Sequence, residues 1–130
     1  MARYFGNRYT VWLYVFFKVA MAKCKDKEEI EEEAFNATCR LYENEPDATV
    51  LDNRVMEIDN TNKFFTFVDV GLEIKVDVVA DDFDEAYMEG EAFAGDIIHR
   101  LPAGVVYTSC DAFDAEYIEP AIDYDWVVGE

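Results

Sequence analysis

The pattern of apolar and polar residues divides the chain into four strand-like segments. Residues 9–23 are apolar on both faces, as in a strand that lies in the middle of a sheet. Residues 64–80 are predicted to form the third strand, because apolar and polar residues alternate from Asp69 to Val78, which is typical of a half-buried strand. Residues 49–58 and 105–118 are predicted to form the second and fourth strands. The turn-forming residues 59–63 predict a hairpin between the second and third strands.

Two helices are predicted, and each has a recognisable start. Asp26 is followed by Glu29 and Asp82 by Glu85, which is the D-x-x-E variant of a capping box. Each helix also carries one apolar stripe, which is expected to pack on the sheet. The stripe of the first helix contains Ile30, Ala34, Ala37 and Leu41, and that of the second contains Met88, Ala92, Phe93, Ile97 and Leu101.

The order of these elements, β-α-β-β-α-β, predicts an α+β fold of the ferredoxin-like split type. In this fold, two helices cover one face of an antiparallel four-stranded sheet. Right-handed crossovers place the first and third strands in the centre of the sheet. These are also the two most apolar strands of the chain, which supports the predicted topology.

A chain of 130 residues is long enough to bury one core, so residues 1–130 are expected to form a single domain. The domain divides into two strand–helix–strand halves, 9–58 and 64–118. With an offset of 58, Glu33-Ala34-Phe35 aligns with Glu91-Ala92-Phe93, which indicates either one unit used twice or a chance similarity of two acidic helices. The acidic and aromatic tail, residues 119–130, is expected to form a docked extra strand or an arm.

Residues 10–22 also resemble a signal peptide, because arginines precede an apolar run. However, Lys18 interrupts the run, and its many aromatic and β-branched residues favour a strand. The run is also too short to cross a bilayer as a helix. A buried strand is therefore preferred to a signal peptide or a membrane anchor.

Charge limits the function of the chain more than any other feature. There are 29 acidic side chains against 11 basic ones, for a net charge of −18. Residues 1–25 hold five bases and no acid, whereas residues 101–130 hold seven acids and no base. Such a field repels nucleic acid and anionic membranes and attracts basic proteins, so direct binding to nucleic acid or to a membrane is not expected.

No catalytic motif stands out, so the chain is predicted not to be an enzyme. Its one histidine, His99, has no spacing that ties it to Ser109 or Cys110. The aspartates of Asp81-Asp82-Phe83-Asp84 are interpreted as helix-capping residues, because the glycine and the terminal glutamate of a calcium loop are missing. No cofactor and no metal are predicted. Three cysteines, an odd number without CxxC spacing, favour a reducing, cytoplasmic location.

Several acids are spaced so that their carboxylates form rows. Side chains two apart on a strand lie about 6.6–6.8 Å apart on one face, and those three or four apart on a helix lie about 5–6 Å apart. Such rows can imitate a phosphate backbone, and interleaved aromatic residues can anchor a specific interface. The predicted partner-binding residues are Glu28, Glu29, Glu32, Glu85, Glu89, Asp114, Glu116, Asp123 and Asp125, with the aromatic residues Tyr117, Tyr124 and Trp126.

These observations predict a non-enzymatic binding protein that inhibits a basic, nucleic-acid-handling protein by mimicking DNA or RNA. In composition alone, the chain resembles small acidic anti-defence proteins of phages, among them anti-CRISPR and anti-restriction proteins. The alternative is a generic interaction or oligomerisation module whose solvated acidic surface keeps it in solution. Such a module could form a homodimer through an edge or a face of its sheet.

Overall fold

The computed structural model describes residues 3–23 and 26–123, and within them the side chains from residue 6 to residue 122. The elements follow one another in the predicted order. They are β1 (Arg3–Ala22), α1 (Lys27–Cys39), β2 (Ala48–Asp59), β3 (Phe65–Ala80), α2 (Phe83–Gly95) and β4 (Val105–Asp123). A short 3-10 helix follows each α-helix, at Arg40–Tyr42 and at Asp96–Arg100.

The four strands form one antiparallel sheet in the order β2-β3-β1-β4. β1 and β3 are therefore central, and the predicted ferredoxin-like α+β fold is confirmed. The segment that resembles a signal peptide lies within β1, where the odd-numbered residues from Tyr9 to Met21 are buried. No helix in the described part of the chain is long and apolar enough to cross a membrane.

Both helices pack on one face of the sheet, and no described helix covers the other face, which we call the open face. The two faces alternate along β1, so Val11 and Leu13 point toward the helices, whereas Trp12 and Tyr14 belong to the open face. β3 alternates in the same way. The core between sheet and helices includes Val11, Leu13, Val15, Phe17, Ile30, Ala34, Val70, Leu72, Ile74 and Ile97.

Both predicted helix starts are confirmed. The Asp26 carboxylate accepts a hydrogen bond from the Glu29 backbone N–H at 2.9 Å, and Asp82 accepts one from the Glu85 backbone N–H at 2.8 Å. The Glu85 carboxylate in turn accepts a hydrogen bond from the Asp81 backbone N–H at 3.3 Å. α2 therefore begins with side chains that satisfy backbone donors on both sides of its cap.

The apolar stripe predicted for α2 is wrong in part. Met88 is 68% exposed and Ala92 is also exposed, whereas Ile97 is buried as predicted. The residues that the α-helix itself buries are small and four apart: Ala86, Gly90 and Ala94. Small side chains let the helix come close to the sheet, so α2 turns this side inward rather than the side with the larger residues.

The two halves of the chain are not related by one constant offset. β1 ends at Ala22 and β3 at Ala80, an offset of 58, but α1 begins at Lys27 and α2 at Phe83, an offset of 56. The difference arises in the connection from strand to helix, which is two residues shorter in the second half. The predicted alignment is therefore right for the strand ends and wrong by two residues for the helices.

Both edge strands carry an extra residue at regular intervals. Where β1 advances from Trp12 to Leu13, its partner in β4 changes from Asp114 to Ala112, so Phe113 has no partner. The same irregularity recurs at Thr108 and Ile118 of β4 and at Leu51 and Met56 of β2. On each strand the extra residues are five apart. Such β-bulges interrupt the two-residue alternation and increase the local twist of the edge.

Candidate protein-binding face

Aromatic side chains run along the middle of the open face. Trp12, Tyr14 and Phe16 occupy alternate positions of β1, and the bulge at Phe113 adds a fourth ring. The rings of Tyr14 and Phe113 stack with centroids 4.5 Å apart and an interplanar angle of 21°. Both side chains remain more than 40% exposed, Tyr14 at 41% and Phe113 at 44%. We call these four residues the aromatic ridge.

The bulges of β4 bring four carboxylates onto the open face in one row. In a regular strand, residues 111 and 114 would point to opposite faces. The extra residue Phe113 returns them to one face, and Ile118 does the same for residues 116 and 119. We call this set the β4 acidic row: Asp111 opposite Tyr14, Asp114 opposite Trp12, Glu116 opposite Thr10, and Glu119 opposite Arg8. All four acids of the row are exposed.

The predicted pair of Asp114 and Glu116 is thus part of a longer row, which also contains Asp111 and Glu119. The signal was present, because Asp111 and Glu116 are five residues apart, as are Asp114 and Glu119. A five-residue period agrees with one bulge in each repeat. The longer row was not predicted, because an alternation with period two throughout β4 would put Asp111 and Asp114 on opposite faces.

The other side of the aromatic ridge is also acidic. On the open face, β3 presents Asp69, Glu73 and Asp77, and β2 presents Asp52, Glu57 and Asp59. The described bases on this face are fewer: Arg8, Lys18, Arg54 and Lys75. Arg8 Nη1 lies 2.6 Å from Glu119 Oε1, and Lys18 Nζ lies 3.8 Å from Asp69 Oδ1. The open face is therefore an aromatic strip between two negatively charged margins.

A recess opens in the open face beside the aromatic ridge. Its volume is about 260 Å³, and it lies over Gly71, which has no side chain to fill it. The Phe16 ring and the Met56 side chain stand on either side of Gly71. The rest of its rim is polar and includes Asp52, Arg54 and Glu73, together with the Tyr14 ring.

Most of the other predicted carboxylates lie on the helices, on the opposite side of the sheet. Glu28, Glu29 and Glu32 are exposed on α1 and Glu89 is exposed on α2, whereas Glu85 is half-buried beside the α2 cap. Because both helices cover the face that is not open, these acids do not share a surface with the β4 acidic row. The structure therefore divides the predicted set between two faces.

The predicted aromatic anchors are not among the four residues of the aromatic ridge. Tyr117 lies on the helix side of β4, where its ring meets Tyr9 edge-on at 5.8 Å. Asp123 is the last residue of β4 and pairs with Arg3, but its side chain is not described. Tyr124, Asp125 and Trp126 lie outside the described residues. The β1 rings were missed because an apolar strand in the centre of the sheet was predicted to be buried on both faces.

Polar groups on the helix side make hydrogen bonds within the fold. The Tyr42 hydroxyl donates to the Ala94 carbonyl at 2.9 Å, and burial raises the pKa of Tyr42 above its usual value of 10.0. Burial also raises the pKa values of Tyr107 and of the Cys110 thiol. These groups stay protonated at neutral pH, and Cys110 therefore lacks the thiolate character of a reactive cysteine.

The remaining candidate groups for chemistry are dispersed. His99 is exposed near the end of the 3-10 helix that follows α2. Cys39 and Cys110, on different elements, are both free thiols, and Cys24 lies outside the described residues. Within residues 3–23 and 26–123, no group of three or more His, Cys, Asp and Glu side chains is arranged to hold a metal ion.

Comparison with known proteins adds a distant likeness to solved structures. No family model matches the chain, and no curated protein matches it. The chain is similar to part of the crystal structure of a hydantoinase/carbamoylase family amidase from Burkholderia ambifaria, with 15% sequence identity and a TM-score of 0.39. The match covers 88% of this chain and 29% of the amidase chain, so it spans less than a third of that protein. At that identity and TM-score, the likeness says nothing about function.

Proposed function

We propose that the protein is a non-enzymatic binding protein that captures a basic, nucleic-acid-handling protein on the open face of its sheet. The observation that carries this proposal is the β4 acidic row, which places four carboxylates beside the aromatic ridge. Carboxylates alone supply electrostatic attraction and steering. Exposed rings next to them supply the desolvated contacts of a specific interface.

The spacing within the β4 acidic row suits mimicry of a nucleic acid. Asp114 and Glu116 occupy the same face two residues apart, which corresponds to about 6.6–6.8 Å along a strand. Proteins that bind nucleic acid hold the phosphate backbone mainly with Lys and Arg. Along β4, those side chains would meet negative groups at short, repeated intervals, as they do along a phosphate backbone.

The excess of acids favours an external basic partner over a second copy of the chain. With 29 acids and 11 bases, at least 18 acids cannot be paired one-to-one within the chain. The resulting self-repulsion opposes the compact state, and a basic partner would relieve it. A second copy would add to the repulsion. The bulges on both edge strands also hinder edge-to-edge pairing, so a homodimer through the sheet is the weaker proposal.

Capture of this kind would inhibit the partner. A channel lined with Lys and Arg that is occupied by the open face can no longer take up nucleic acid. An anti-defence role in the cytoplasm, of the anti-CRISPR or anti-restriction type, is the form of inhibition that we propose.

Capture from a cell lysate, followed by competition, tests the proposal. The immobilised protein should retain a basic protein that binds nucleic acid, and the nucleic acid of that partner should displace it. Retention should decrease as the salt concentration rises from about 50 to about 300 mM, because exposed charges are screened over about 8–10 Å near physiological salt. The double reversal Asp114→Lys and Glu116→Lys should weaken capture but leave the fold intact, since exposed substitutions change stability by within about 0.5 kcal/mol.

Two results would contradict the proposed function. One is a main partner that proves acidic or neutral. The other is capture that ignores salt, competing nucleic acid and the double reversal. Either result would favour the generic interaction module.

A further inference from the structure

Two pairs of carboxylates face each other across β2 and β3 on the open face. Glu57 lies opposite Asp69, and Asp52 lies opposite Glu73. Like charges at directly opposed positions of antiparallel strands are destabilising. Each pair therefore favours a cation close to it.

The pair of Glu57 and Asp69 has a cation within the chain. Lys18 of β1 lies opposite Asp69 in the same cross-strand row, and its Nζ is 3.8 Å from Asp69 Oδ1. This row thus contains two acids and the lysine that compensates part of their charge.

The pair of Asp52 and Glu73 has an aromatic ring where the first pair has a lysine. Tyr14 of β1 lies opposite Glu73. The bases closest along the strands, Arg54 and Lys75, are each two residues away from one acid of the pair on the same face. In the described structure, neither base forms an ion pair with Asp52 or Glu73.

The space beside this second pair is open. The recess of about 260 Å³ lies next to Tyr14, with Asp52 and Glu73 on its rim. Gly71 leaves the recess unfilled because it has no side chain. A Cβ atom added there would lie 3.4 Å from the Phe16 ring, which also lines the recess. A carboxylate pair that forms no ion pair in the described structure, a flat aromatic wall and an accessible volume therefore occur at one place.

We propose that this recess binds the guanidinium group of an arginine side chain of the basic partner; the inference rests on the proposed function. A guanidinium is planar, so it can stack on the Tyr14 ring, which is itself held by stacking on Phe113. Its fork of N–H donors can reach both Asp52 and Glu73 with charge-assisted hydrogen bonds. A lysine ammonium is a point charge that lacks both the plane and the fork, so the recess selects arginine over lysine.

Arg54 on the rim opposes the incoming cation. It repels a guanidinium from the side of the recess opposite the aromatic ridge. Replacement of Arg54 by Gln should therefore strengthen arginine binding.

Titration with a short oligo-arginine peptide and a length-matched oligo-lysine peptide tests the inference. The unmodified protein should bind the arginine peptide more tightly. Glu73→Gln should weaken binding of the arginine peptide by about tenfold or more, because it removes a charged acceptor. The matched control Glu57→Gln removes the same charge from the other pair, in which Lys18 already lies close to Asp69. It should change the affinity for the arginine peptide much less.

A second variant tests the recess without any change of charge. Gly71→Val fills the floor of the recess and leaves every acid and base in place, so it should abolish the preference for arginine. Circular dichroism and denaturant unfolding show whether Gly71→Val folds. If it does not fold, the comparison of Glu73→Gln with Glu57→Gln decides the matter.

Three results would overturn the proposal that the recess binds an arginine side chain. They are equal affinity for the two peptides, equal losses in Glu73→Gln and Glu57→Gln, and failure of both peptides to bind. None of these results would overturn the proposed function, because diffuse attraction over the open face is sufficient to capture a basic protein. The lysate capture and its salt dependence decide that function separately.

Discussion

Gly90 of α2 lies directly against Val11 of β1. A Cβ atom added to Gly90 would come within 2.8 Å of Val11 Cγ1, so the helix or the strand would have to move. Gly95, at the end of the same helix, has room for a Cβ atom. The atom nearest to an added Cβ there would be the Tyr107 hydroxyl oxygen, at 3.8 Å. The close approach of α2 to the sheet thus depends on Gly90 and not on every glycine of the helix.

The first prediction is that Gly90→Ala destabilises the protein and Gly95→Ala does not. Overpacking costs about 1–3 kcal/mol, and the better helix propensity of alanine returns up to about 1 kcal/mol. We expect a net loss of up to about 2 kcal/mol for Gly90→Ala. Gly95→Ala should gain up to about 1 kcal/mol. Equal stabilities of the two variants in urea unfolding would show that the contact with Val11 is not tight.

The second prediction concerns pH. Burial raises the pKa of Tyr42 above 10.0 in the folded protein, whereas the unfolded chain loses this proton near pH 10. The corresponding stability is fully present below pH 10 and is lost as the pH rises above it, by about 1.4 kcal/mol per pH unit for one group. Tyr42→Phe should make this alkaline decline less steep, and the part that comes from Tyr107 and Cys110, whose pKa values burial also raises, should remain.

The same variant should also be less stable at neutral pH. It lacks the hydroxyl that donates to the Ala94 carbonyl, and a typical hydrogen bond contributes about 0.5–1.5 kcal/mol. Urea unfolding at a series of pH values measures both effects. An alkaline decline that is as steep in Tyr42→Phe as in the unmodified protein would show that Tyr42 is not the group responsible.

The third prediction concerns the start of α2. Asp82→Ala removes the carboxylate that accepts the Glu85 N–H, and loss of such a cap costs about 0.5–2 kcal/mol. Asp82→Asn keeps a side-chain oxygen at the same place and should retain most of the stability. If both variants lose the same free energy of unfolding, Asp82 stabilises the helix through its charge near the helix end rather than through its hydrogen bond.

The fourth prediction uses the bulges of β4. Deletion of Phe113 removes a residue that has no partner, so the residues after it keep their faces, and the protein should still fold with the loss of one stacked ring. Deletion of Ala115 instead moves Glu116 toward the position opposite Val11, in the core. A strand shifted by one residue exchanges its faces, and a buried unpaired carboxylate is costly.

Thermal unfolding of the two deletion variants distinguishes these outcomes. The variant without Ala115 should melt at a clearly lower temperature than the variant without Phe113. Similar melting temperatures would mean that β4 adjusts its register freely and that the bulges do not fix the β4 acidic row.

The order of the elements, the central position of β1 and β3 and both helix caps could be predicted from the sequence. Each of these features depends on local signals, such as the two-faced apolar segment of β1 or the acid three residues after Asp26. The inward side of α2 could not be predicted in the same way. Hydrophobicity favours the side with Met88, whereas the packing distance favours the side with Gly90, and that distance is a property of the folded protein.

The candidate site was only half predictable for a related reason. Asp114 and Glu116 share a face by simple alternation, so the sequence indicated them correctly as a row. Asp111 joins the row only because Phe113 is an extra residue, and a bulge depends on the pairing of β4 with β1. The helix acids, such as Glu32, follow the same spacing rule, but only the fold reveals that they lie on the other side of the sheet.

The central claim is that the open face, and not the helix face, binds the basic partner. Two triple variants that remove equal charge test it most directly: Asp111→Asn, Asp114→Asn and Glu116→Gln on the open face, and Glu28→Gln, Glu32→Gln and Glu89→Gln on the helices. The dissociation constant of each for the captured partner should be measured at low and at physiological salt. We predict a large loss of affinity and a weaker salt dependence for the open-face variant alone. Equal losses for the two variants, or a greater loss for the helix variant, would contradict the account.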